Sequence, residues 1–101
     1  MRPLSAALAR AFRALRLATD VARADAVRAW HGAASRVIGP DAIRTTALRV
    51  DDGTLVVAVP TVHWATEIRL RERELVDAIV KAAPRSGIAK IRSVPAGRSA
   101  P

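Results

Sequence analysis

The chain has 101 residues, half of them hydrophobic but only 3% aromatic, with no cysteine and a formal charge of +8. That length holds a single core, and the composition excludes disulfides, thiolate metal sites and cysteine nucleophiles; no apolar run approaches membrane-spanning length. The charge is uneven: residues 1–40 carry seven Arg against two Asp, the stretch to residue 83 is nearly balanced, and residues 84–101 carry three Arg and one Lys with no acid, a polarity suited to a polyanion or an acidic protein face.

Leu4, Leu8, Phe12 and Leu15 recur at helical spacing beside Ala7 and Ala11, which predicts an amphipathic helix over residues 4–17. Arg10, Arg13 and Arg16 fall on its opposite face. The apolar stripe is expected to dock on the core, where Phe12 joins Trp30 and Trp64 as the only large rings. This start lacks the continuous apolar stretch and cleavage site of a secretory signal, so a cytoplasmic location is expected.

Thr19 or Asp20 then stands as a cap for a second helix running towards Ile38, with Val27, Trp30, Ala34 and Val37 on one face and Gly39-Pro40 as its stop. Residues 1–19 are thus expected to be a basic helix attached to a domain over 20–94, with a disordered tail at 95–101. Gly32 costs the second helix up to about 1 kcal/mol relative to Ala, which points to a close backbone approach or a break. His31 reads as a surface or capping residue, with no second ligand at metal spacing.

From Ile43 to Val50, Thr46, Leu48 and Val50 alternate with Thr45, Ala47 and Arg49, the pattern of a strand with one buried face. Asp51-Asp52-Gly53-Thr54 predicts a tight hairpin, since Asp-Gly supplies the positive backbone angle such turns need. Leu55 to Val59 is the return strand, ended by Pro60. Thr61 is placed to cap a long helix from about Val62 to Ala83, whose stripe includes Ala65, Ile68, Leu75 and Ile79. Glu67 with Arg71, Arg73 with Asp77, and Asp77 with Lys81 stand four apart, as exposed ion pairs do. Pro84-Arg85-Ser86-Gly87 ends it. Ile88 to Val94 reads as a last strand, with Lys90 and Arg92 opposite Ala89 and Ile91. The order α-α-β-β-α-β predicts an α+β fold in which helices cover one side of a three-stranded sheet.

Catalysis finds little to work with. His31 and His63 lie in different elements without a nucleophile pattern, the five glycines are too scattered for a phosphate loop, and Asp51 with Asp52 suits a turn rather than a carboxylate pair. The chain is expected to be a non-enzyme, with no cofactor, no metal, no small-molecule substrate and no membrane partner. Nucleic acid is a candidate partner through Arg10, Arg13, Arg16, Arg85, Lys90, Arg92 and Arg98, which supply salt-dependent, nonspecific attraction. Trp64, with Glu67 and Arg71 beyond it, is the expected protein contact: its ring either seals the core or anchors an interface, and the two are not exclusive.

Two separated segments, Asp52-Gly53-Thr54-Leu55-Val56-Val57 and Trp64-Ala65-Thr66-Glu67-Ile68, resemble the DciA family, small bacterial proteins associated with loading the replicative helicase DnaB. Val37-Ile38-Gly39-Pro40-Asp41 is similar to an upstream segment of that family, and Trp30 to its upstream tryptophan. The resemblance runs from about Val21 to Val94 and implies a KH-like fold and an adaptor that binds DnaB and assists its placement on DNA. A KH-like RNA-binding protein, such as a ribosome-maturation factor, shares the charge and layout but not the tryptophan motif. No Gly-x-x-Gly clamp of the KH type occurs in the chain.

Overall fold

The computed structural model describes residues 3–97, with side chains from Ser5 onward. One helix, α1 (Pro3–Val37), leads into a 3-10 turn at Pro40–Arg44, then strands β1 (Thr46–Asp51) and β2 (Thr54–Val59), helices α2 (Val62–Leu70) and α3 (Glu72–Ala82), and strand β3 (Lys90–Pro95). The sheet order is β1-β2-β3, with β1 antiparallel and β3 parallel to β2. Helices supply one layer and the sheet the other, the predicted α+β, KH-like arrangement.

The core lies between the layers. Leu55, Val57 and Val59 of β2 meet Ala26, Trp30, Ala33 and Ala34 of α1, Ile68 of α2, and Leu75 and Ile79 of α3. With so few rings available, small and branched side chains fill this space and Trp30, 1% exposed, is its one large ring. The turn between β1 and β2 forms as predicted. Asp52 and Gly53 both adopt positive φ, 53° and 79°, as a two-residue hairpin loop of the primed type demands.

Several elements differ from expectation, each for a local reason; the strand expected from Ile43 begins only at Thr46, because Ile43 and Arg44 belong to the 3-10 turn that Pro40 opens. The two N-terminal helices are one: Thr19 turns its Oγ1 back to the Leu15 carbonyl (2.9 Å) instead of capping a new helix, and the Ala-rich sequence on either side has no reason to stop. Gly32 neither breaks that helix nor admits a close neighbour. Conversely, the expected long helix over 62–83 divides at Arg71, whose φ of −111° and ψ of 19° leave the helical range. The division lets Glu72 accept the Ile91 backbone N–H at 2.9 Å, a tertiary bond that no periodicity announces.

In β1 the register slips between Ala47 and Arg49, so Leu48 is a bulge. An extra residue reverses the alternation. Thr45 and Ala47 therefore turn towards the core before it, Val50 after it, and Leu48 is exposed rather than buried. Finally, β3 begins at Lys90 instead of Ile88, although Ile88 is buried in the preceding loop. That loop is held by the hairpin: the Gly53 carbonyl accepts the N–H groups of Ala89 (2.8 Å) and Lys90 (3.2 Å). At the far end, Ala96 N–H donates to the Val59 carbonyl (2.8 Å), and the rest of the expected tail, with Arg98, lies outside the described residues.

The largest departure concerns α1. Residues 5–21 are exposed throughout, including Leu8 (50%), Phe12 (66%) and Leu15 (63%). The stripe does not dock on the core, and Phe12 is not a core ring. α1 projects past the sheet as an arm, which gives a radius of gyration of 16.4 Å and a longest dimension of 57 Å, against about 13 Å for the radius of a compact chain of this length.

Candidate functional site

The α2 start is set by Thr61, whose extended backbone and Oγ1 accept the Trp64 N–H (3.4 Å to the hydroxyl) as an N-cap does. The cap orients the first turn so that Trp64 packs part of its ring against the core while the rest stays accessible.

Trp64 forms one wall of a cleft of about 470 Å³, with His63, Glu67 and Arg71 beside it on α2 and Ile38, Pro40, Asp41 and Arg44 opposite. The three residues singled out as partner contacts thus line one surface. Glu67 and Arg71 are fixed by an ion pair of 3.0 Å, and Arg71 also approaches Glu74 at 3.9 Å. Of the three ion pairs expected along this region, only that first one closes. Being largely exposed, it contributes little stability, and it sets two opposite charges side by side at the rim of the cleft.

The opposite wall depends on a buried threonine. Thr45 accepts from the Trp30 indole N–H (2.8 Å), donates to the Ala42 carbonyl (2.6 Å), and its own carbonyl meets His31 Nε2 at 2.9 Å. This pins the 3-10 turn to α1, so Asp41 and Arg44 are positioned from the core outward. Sequence reading missed Asp41, Arg44 and His63 as cleft residues. Their signal lay only in the Gly39-Pro40 stop, which marks a turn without saying what it faces.

The expected nucleic-acid residues fall into separate places. Arg10, Arg13 and Arg16 stand on the exposed arm, and Arg85 on the loop after α3. Lys90 and Arg92 lie on the sheet face that the helices leave uncovered, and register adds Arg49 to them: Arg49, Val56 and Arg92 stand side by side across the three strands. Val56 is nonetheless fully buried, as expected if the aliphatic stems of its two arginine neighbours lie over it. Asp51 offsets part of this charge, 2.8 Å from Arg49 and 4.0 Å from Arg92. Arg49 was legible, since it alternates with Val50 as Arg92 alternates with Ile91.

Between α2 and α3, where a KH module carries its glycine clamp, there is a single residue, Arg71, and no glycine. Among the described residues, no three His, Asp or Glu side chains are grouped to hold a metal, and no helix is long and apolar enough to cross a membrane. The fold defines a small KH-like α+β module whose α2–α3 junction carries no glycine clamp. A family model for DciA, described as the Dna[CI] antecedent, matches residues 3–93, and the chain belongs to the DciA family. That membership supports a general role in loading the replicative helicase during DNA replication. No curated protein matches the chain significantly.

Proposed function

We propose that this chain is a stoichiometric adaptor that binds the replicative helicase DnaB and assists its placement on DNA, without hydrolysing nucleotide itself. The observation that carries the reading is the cleft: the tryptophan of the family-like motif, partly accessible, shares one concave surface with a fixed Glu67–Arg71 pair. An accessible indole in a recess with charged rims is the usual make-up of a binding hot spot. Binding there biases the helicase ring only to the extent that it prefers one ring state over another. The exposed arginines of the arm and the cations of the sheet would add nonspecific attraction for DNA, weakening steeply with salt.

Recovery of DnaB with the purified chain after nuclease treatment tests this directly. DnaB is expected to be retained by the native chain and lost with Trp64→Ala, or with Glu67→Arg, which leaves the core untouched. Ribosomal subunits in place of DnaB would favour the RNA-binding alternative, and undiminished DnaB recovery by a folded Glu67→Arg variant would remove the cleft from the interface.

A further inference from the structure

Leu8, Phe12 and Leu15 precede Ala26, Trp30 and Ala33 by eighteen residues, which is five whole turns of an α-helix. The arm's apolar stripe therefore occupies the same side of α1 that packs on the sheet further along. That side is fully covered at Trp30 and bare at Phe12. Arm and body consequently form an inside corner, with the stripe facing into it.

The corner restricts what can cover the stripe. The body rises from the stripe side of α1 by at least the thickness of one packed layer, about 10 Å. A flat bilayer brought against the stripe would meet the body first. A second helix of similar length, lying in the corner, meets no such obstacle. We propose that the occupant is the arm of a second copy of this chain, paired antiparallel in a two-fold dimer, independently of which partner fills the Trp64 cleft.

Sterics select the antiparallel sense. In a parallel pair the two bodies would sit at the same end, each on the side already taken by the other. Reversing one copy places the bodies at opposite ends, so each arm tip approaches the side of the other's body, and the contact is isologous and closed. Charge permits this. Arg10 and Arg13 point away from the stripe, Arg16 borders it on one flank one turn from Phe12, and the other flank is formed by Ala7, Ala11 and Ala18, which let two helices approach closely. The exposed arm is about 26 Å long. Two such stripes cover on the order of 1,000 Å², the lower limit for a specific interface, so the dimer forms and dissociates with concentration.

Light scattering or sedimentation of the whole chain up to roughly 100 μM, a range that captures weak association, reads this out. The native chain should shift from monomer to dimer mass as concentration rises. Phe12→Asp should abolish the shift with an unchanged melting curve, because Phe12 is outside the core, while Arg10→Gln with Arg13→Gln should leave it intact. The chain lacks cysteine, so single thiols report orientation cleanly: Ala11→Cys, near the two-fold axis, should cross-link to itself, and Ala18→Cys should not. A strictly monomeric native chain overturns the proposal, as does a dimer indifferent to Phe12→Asp, equal cross-linking at both positions, or insertion of Phe12 into anionic vesicles by a chain that stays monomeric.

Discussion

Thr45 shows how much one side chain can set. Its hydroxyl is both the acceptor for a buried indole and the donor to the 3-10 turn, so a single oxygen couples the helix layer to the cleft wall. Thr45→Val keeps the volume and strands the Trp30 N–H without a partner, which costs about 1–3 kcal/mol. Urea denaturation should show that loss, and DnaB affinity should fall with it only if the cleft wall is part of the interface. Little of this was readable beforehand. Thr45 fits a strand pattern as well as any threonine, and its fifteen-residue reach to Trp30 is a property of the folded chain. Asp52 and Gly53 are the opposite case, because the turn they make is decided by their own backbone preferences, and Thr61 likewise declares its cap locally.

At the level of elements, the three strands and their hairpin followed from sequence, though not the β1 bulge or the starts of β1 and β3, while the helices were misdivided. Ala-rich sequence carried α1 past a plausible capping threonine, and a break at Arg71, next to the Glu72 that accepts the Ile91 N–H, divides a stretch that periodicity alone would keep whole. The arm also separates charge from folding. Replacing Arg10, Arg13 and Arg16 together by Gln should leave the melting temperature nearly constant, since none of the three touches the core. DNA affinity at low salt should drop, and its dependence on salt concentration should flatten, by a slope of up to roughly three for three lost phosphate contacts. Fluorescence anisotropy with a labelled oligonucleotide over a salt series checks both.

Taken whole, the molecule has a steep gradient of stability. The body has hydrophobic contacts on every element, whereas the first seventeen described side chains have only their own helix to rely on. Helices of this length are marginal in water unless their apolar face is covered. Amide exchange in dilute solution should therefore be fast from Ser5 to Val21 and slow in β2, and raising the protein concentration should protect the arm selectively. Uniform protection at all concentrations would mean that the arm is as stable alone as in company. An elongated shape of this kind was not legible, because a stripe at helical spacing reads the same whether its cover comes from within the chain or from outside it.

The bulge at Leu48 and the grip of Glu72 on Ile91 act at opposite borders of the sheet. A bulged strand makes a poor template for another strand, and an occupied N–H on the far border cannot bond to one. Both borders are thus blunted against an added strand, which lowers the tendency of crowded copies to zip together edge to edge.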